Sequence, residues 1–295
     1  MNIVVVGGAG FVGSNVIKQL LLKDSLTNII SLDNYTSGNV ENHIENVVYI
    51  HGNSWDIHNI KELQDFDPDV VYHFGEFSRI VLSFEKTNDT FWANTIGTQQ
   101  VLDYCVKKKA KLIYSGSTAI FGNDMKDQHL NPYAWTKSKN IELIHNYKSW
   151  FGLDFSICYF FNVFGPGQIT KGAYATVVGI FENQFKEGIP LTVVSPGTQT
   201  RAFTHIDDIV AGILLMAEKG DGDGYFLGTT ENISITDIAK MYKCDWEYIP
   251  SRKGERTSST ILKSRARDEL GWFPKLDIRD YILDFISTRN PPQTR

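Results

Sequence analysis

The sequence predicts an α/β protein: a doubly wound parallel sheet followed by a smaller, irregular α/β lobe. Three observations carry this. A β-branched run at Asn2–Val6 breaks into a glycine-rich turn and then an amphipathic stretch. Strand-like and helix-like segments then alternate to about residue 165. Beyond it the alternation stops, and loops rich in Gly, Ser and charge separate the elements.

The turn reads Gly7-Gly8-Ala9-Gly10-Phe11-Val12-Gly13, and Val16, Ile17, Leu20 and Leu21 mark the helix after it. Residues 29–32 form a second strand that closes on Asp33. Glycines at 7, 10 and 13, with an acid about twenty residues on, make the dinucleotide fingerprint of a Rossmann-type sheet. Gly7 permits the tight turn, Gly10 lets backbone N–H groups reach a pyrophosphate, and Gly13 lets helix and strand pack closely. The phosphates meet the positive end of the helix. The Asp33 carboxylate accepts hydrogen bonds from both ribose hydroxyls and repels a 2′-phosphate, so NAD is favoured over NADP.

Residues 47–50, 70–74, 111–115 and 156–161 read as further strands, with helices at 57–63 and 92–107. In Asn131-Pro132-Tyr133-Ala134-Trp135-Thr136-Lys137 the proline suits a first helical turn, and the helical pattern runs to about residue 150. Tyr133 and Lys137 are four apart, on one face. A lysine cation beside a phenol favours the phenolate, giving a base for a sugar or alcohol hydroxyl. An isolated Tyr-x-x-x-Lys is more often an ordinary exposed pair; its company here changes that. Later, 173–186, 206–218 and 236–242 read as helices and 191–194 as a strand, with Asp221-Gly222-Asp223-Gly224 as loop. We expect a cofactor domain at residues 1–165 and a substrate lobe at 166–295, with some late segments returning to the main body.

Composition narrows the function. With 295 residues, 42% hydrophobic, the chain can bury a large core. The net charge of -5, and no basic run beyond Lys107-Lys108-Lys109, argue against nucleic acid as a partner. Cys105, Cys158 and Cys244 are few and widely spaced, so neither a disulfide framework nor a metal site is indicated. No apolar run approaches a membrane span, and the N-terminus enters a strand at once. A cytoplasmic location is expected.

Together these residues resemble the extended short-chain dehydrogenase/reductase family, within it the nucleotide-sugar epimerases and dehydratases. The likeness rests on the glycine turn, Asp33-Asn34, His73-Phe74, Asn94-Thr95-Ile96-Gly97-Thr98 and Ser115-Gly116-Ser117. It continues through Pro132-Tyr133 with Lys137, Phe161-Asn162-Val163-Phe164-Gly165-Pro166, Arg201 before Phe203-Thr204-His205, and Glu269-Leu270-Gly271-Trp272. The resemblance implies that Tyr133 is general base and acid, that Ser117 shares a hydrogen bond with the substrate hydroxyl, and that Lys137 holds the ribose and tunes Tyr133. It places Gly7, Gly10, Phe11, Val12, Asp33, Asn34, Phe74, Gly75 and Asn94 around NAD, with Asn53 and Ser54 near adenine. Ser78, Arg79 and Thr118 fall on the substrate side. Asn162, Arg201 and Arg252 fall where the family binds the nucleotide diphosphate. Ser259, seven residues beyond Arg252, falls where residue size limits the hexose C2 substituent, and its small side chain implies room for an N-acetyl group.

The sequence also departs from the pattern. Thr118 and Ala119 occupy the places where dehydratases carry Asp-Glu, and decarboxylating relatives carry a Glu at the second of them, which argues against both reactions. Gly75-Glu76 replace two alanines, and Ala202 replaces the aspartate after Arg201. The expected activity is C4 epimerisation of a UDP-hexose or N-acetylhexosamine. A 4-dehydrogenase or ketosugar reductase on a GDP- or dTDP-sugar, a heptose included, stays open, as does a non-catalytic NAD-binding regulator. The resemblance also implies a homodimer through helices 92–107 and 133–150. Val101, Leu102, Ile141 and Ile144 suit either that contact or the chain's own sheet.

Overall fold

The computed structural model describes residues 1–123, 129–251, 257–258 and 263–288. Its centre is a seven-stranded sheet of β1 (Asn2–Val6), β2 (Asn28–Asp33), β3 (Val47–His51), β4 (Val70–His73), β5 (Lys111–Ser117), β6 (Phe155–Phe160) and β11 (Gly222–Leu227). Their order is β3-β2-β1-β4-β5-β6-β11, and every pair is parallel. The order reverses between β1 and β4, which opens a crevice at the strand C-termini where dinucleotides bind in such sheets.

Both sheet faces are covered, which explains the near-continuous apolar runs in the central strands. On one face α5 (Gly97–Lys108) and α6 (Pro132–Phe151) bury Val101, Leu102 and Ile144 against Val4, Leu112 and Ile157. Those helix residues therefore serve the chain's own core. On the other face α1 (Phe11–Lys23) and α8 (Ile206–Lys219) bury Val16, Ile17, Ile209 and Ile213 against Ile3, Val5 and Ile113. α10 (Arg265–Leu270) adds Ala266 and Leu270 there, and the buried Trp272 that follows it donates to the Asp208 carbonyl at 2.8 Å.

Several local features differ from the sequence expectation. Residues 57–63 are a tight turn followed by the single-turn α2 (Lys61–Gln64) rather than one helix. The expected helix at 92–107 begins as a π-helical turn over Trp92–Ile96 and is preceded by α3 (Ile80–Glu85) and α4 (Thr87–Phe91). Gly222 and Gly224 belong to β11 rather than a loop; both have positive φ, and the register shifts between Gly222 and Tyr225.

The smaller lobe has its own core of Phe181, Phe185, Leu191, Tyr242 and Phe285. It comprises α7 (Val177–Glu187), α9 (Ile235–Met241), α11 (Ile278–Thr288) and three two-stranded ladders: β7 (Asn162–Phe164) with β10 (Phe203–His205), β8 (Leu191–Val194) with β13 (Trp246–Ile249), and β9 (Thr200–Arg201) with β12 (Ile233–Ser234). The chain crosses between lobe and sheet more than once, since β11 pairs with β6.

Candidate active site

The glycine turn is tight for reasons visible at two positions. Gly7 has φ +86, and a Cβ on it would lie 2.7 Å from the Gly75 nitrogen; one on Gly13 would lie 2.2 Å from the Gly7 carbonyl. Gly10 caps α1 without a side-chain hydrogen bond, and the first turn carries no acid. Its N–H groups and positive dipole end are thus available to an anion. At the end of β2, Asp33 Oδ2 accepts from Ala9 N at 2.9 Å and Oδ1 from Tyr35 N at 2.8 Å. Burial raises the Asp33 carboxyl, opposed by those two N–H bonds. Each oxygen keeps a lone pair for a ribose hydroxyl. This cradle fits a dinucleotide with an unsubstituted ribose.

Tyr133 and Lys137 are carried by α6. Asn131 Oδ1 caps it by accepting from Ala134 N at 2.8 Å, Pro132 fills the first turn, and Gly152 ends it with φ +71. Tyr133 and Lys137 face a cavity of about 480 Å³ whose lining includes Gly7, Gly10, Phe11, Val12, Phe74, Ser117 and Thr118. Ser78, Arg79, Asn162 and Arg201 line it as well. Ser117 ends β5, where its Oγ accepts from Ala119 N at 3.2 Å. The Thr118 hydroxyl is buried and donates to the Phe160 carbonyl at 3.3 Å. Arg79 donates to the Tyr174 carbonyl; burial lowers its guanidinium from the usual value, and the phenols of Tyr133 and Tyr174 oppose that. Arg201 is buried beside Ala202, with Nη1 donating to the Thr200 carbonyl at 2.8 Å.

Other sequence-predicted residues lie elsewhere. Asn34 and Asn53 hydrogen-bond each other at 3.1 Å and line a second depression with Trp55 and Trp92. Ser54 is buried under Gly97, and Gly75 packs on Gly7. Asn94 is fully buried, holding Phe77 at both backbone groups (2.7 and 3.1 Å) and Thr136 at 3.0 Å. It fixes the loop after β4 and lies outside the cavity lining. Arg252 and Ser259 lie outside the described residues.

Sequence reasoning missed the partner of Lys137. Glu76, with its side chain 1% exposed, forms an ion pair with Lys137, itself 4% exposed. Lys137 also donates to the Ser115 carbonyl at 2.5 Å. The other Glu76 oxygen accepts from Tyr114 Oη at 2.9 Å, Asn140 Nδ2 at 2.8 Å and Thr98 Oγ1 at 3.2 Å. Thr98 thereby spends its one proton, so His73 Nε2, 2.9 Å from it, must be the donor. A carboxylate therefore stands beside Lys137, and four donors occupy it. The available signal was a polar stripe at Tyr133, Thr136, Lys137 and Asn140, in helical spacing on a face that should otherwise be apolar. Among the described residues no group of His, Cys, Asp or Glu is arranged to hold a metal, and no helix is long and apolar enough to cross a membrane.

Comparisons with known proteins agree with this geometry. A putative UDP-glucose 4-epimerase of Methanocaldococcus jannaschii is 27% identical over 97% of this chain and 97% of its own length. A UDP-glucuronic acid decarboxylase of Arabidopsis thaliana is 24% identical over 95% of this chain and 86% of its own. The structure of UDP-glucose 4-epimerase from Thermotoga maritima with UDP-glucose superposes with TM-score 0.90 and 27% identity, over 98% of this chain and 99% of that one. Residues 3–228 match the model of the NAD dependent epimerase/dehydratase family, whose members are NAD-dependent enzymes. With the glycine turn and Ser117, Tyr133 and Lys137 lining one cavity, and Asp33 bonded to that turn, the chain belongs to that NAD dependent epimerase/dehydratase family.

Proposed function

We propose that this enzyme is a nucleotide-sugar 4-epimerase acting on a UDP-hexose or UDP-N-acetylhexosamine. The observation that carries the reading is the composition of the cavity. Ser117, Tyr133 and Lys137 line it together with Arg79, Asn162 and Arg201, while Thr118 and Ala119 stand where the resemblance puts the Asp-Glu of dehydratases and, at the second place, the Glu of decarboxylating relatives. The glycine turn and Asp33 would hold NAD, which would supply reversible hydride acceptance from C4. Tyr133 takes the O4 proton as the 4-keto sugar forms and restores it after the sugar has turned over. Ser117 donates to the same oxygen. Asn162 and Arg201 hold the diphosphate, the planar guanidinium matching phosphate oxygens, so the nucleotide stays fixed while the hexose rotates. Substrate affinity then resides in the nucleotide.

We also infer a division of labour in which residues 1–165 carry the cofactor and 166–295 supply most of the nucleotide contacts. A homodimer is assigned to the exposed apolar side chains of α4 to α6: Trp92, Ile96, Trp135, Trp150 and Phe151. Free cysteines, Cys105 and Cys158 buried among them, suit a reducing cytoplasm. Incubation with a panel of UDP-, GDP- and dTDP-sugars, following product identity and NADH absorbance, tests the activity. Epimer formation without net NADH is expected, and stoichiometric NADH with a ketosugar product would instead make the enzyme a dehydrogenase.

A further inference from the structure

Lys137 is placed to do one thing and surrounded so as to do another. A lysine one turn from a tyrosine stabilises the phenolate through its charge. Here that charge meets a carboxylate in a site with almost no solvent to screen it. The groups facing the pair are His73 at the end of β4, Tyr114 on β5 and Cys158 on β6, while Arg79, which lines the same cavity, interacts with Tyr133 and Tyr174. Among these groups and the pair itself Glu76 is the only carboxyl group, and its second oxygen is held by Tyr114, Asn140 and Thr98. The carboxylate is thus fixed before any ligand arrives. Of the three ammonium protons, one goes to Glu76 and one to the Ser115 carbonyl, leaving one for the cavity.

We propose that Glu76 is a positioning residue that pins Lys137 with a single N–H aimed into the cavity and cancels much of its charge as felt by Tyr133. Tyr133 therefore deprotonates less readily than the Tyr133–Lys137 spacing alone implies, and Arg79 becomes the principal cation facing the phenol. The proposal rests on Tyr133 being the catalytic base, but its test needs no sugar. The pKa of Tyr133 is read in the NAD-loaded protein by ultraviolet difference titration of the phenolate, with Tyr133→Phe as the blank. Glu76→Gln should lower it by about one pH unit or more, the effect of an uncompensated cation at close range. The double variant Glu76→Gln/Lys137→Met, which removes both charges, should return it close to wild type. An unchanged or raised Tyr133 pKa in folded, NAD-bound Glu76→Gln protein overturns the proposal. Glu76→Gln leaves the Lys137 cation buried without its partner, a change that can prevent folding. In that event the double variant, which buries neither charge, decides: a Tyr133 pKa well above that of wild type overturns the proposal, since it would show that the Lys137 charge had reached the phenol uncancelled. An enzyme with a different sugar chemistry would leave these outcomes unaffected.

Discussion

Asp33 Oδ2 accepts the backbone N–H of Ala9 at 2.9 Å, which ties the carboxylate at the end of β2 to the glycine turn after β1. The residue proposed to receive the ribose hydroxyls thus also braces the glycine turn proposed to receive the phosphates. Asp33→Ala should weaken NAD about 10-fold or more, the cost of losing charged hydrogen bonds, and narrow its advantage over NADP. It should also lower stability by roughly 1–3 kcal/mol, because the Ala9 N–H is buried and loses its acceptor. Calorimetric titration of both cofactors checks this; equal wild-type affinity for NADP and NAD would contradict the role of Asp33.

Tyr133→Phe removes one hydroxyl from a residue whose backbone N–H, bonded to Ser83 Oγ at 3.3 Å, stays in place. Turnover should fall by roughly 100-fold or more, the usual contribution of a general base, while NAD affinity and melting temperature hold. Near-normal turnover would remove Tyr133 from the chemistry.

His73 provides a pH dependence of a known sign. It is fully buried, and burial lowers its imidazole from 6.5 to about 4, partly offset by Glu76 and reinforced by Lys137. Between those values the unfolded chain binds a proton that the folded protein refuses. Stability from this residue is therefore present above about pH 6.5 and drains away toward pH 4, by roughly 3 kcal/mol across the window. Urea unfolding of His73→Gln over that range should show a flatter pH dependence than wild type, and parallel curves would argue against the assignment.

The exposed aromatic face gives a fourth prediction. Phe91 stacks on Trp135 with ring centroids 5.4 Å apart, beside Trp92 and Ile96, which are 54% and 42% exposed. Wild-type protein should sediment as a dimer at micromolar concentration, and Ile96→Glu with Trp135→Glu should make it a monomer that still binds NAD. A wild-type monomer would contradict the assignment.

What the sequence made legible was what local rules govern. The glycine turn, Asp33 and the Asn131–Pro132 helix start are short-range signals, and the structure places Tyr133 and Lys137 together in the main cavity. Helix starts drifted where a cap decides them: α7 begins at Val177 because Thr176 caps Gly179 N at 3.0 Å, and α9 follows the Ser234 cap on Asp237 N. β11 and β13 were passed over because their pairing depends on strands far away in sequence. The Glu76–Lys137 pair joins residues 61 apart, so only the polar stripe on α6 hinted at it. Side chains brought together by the β4–β5–α6 packing have no local signature.

The central claim, C4 inversion by transient oxidation, is tested most directly with a UDP-hexose carrying deuterium at C4. If the account is right, purified protein interconverts the two C4 epimers, the product keeps its deuterium at C4, and no NADH accumulates. Loss of the label to solvent, or accumulation of a 4-keto sugar with one equivalent of reduced cofactor, would contradict it.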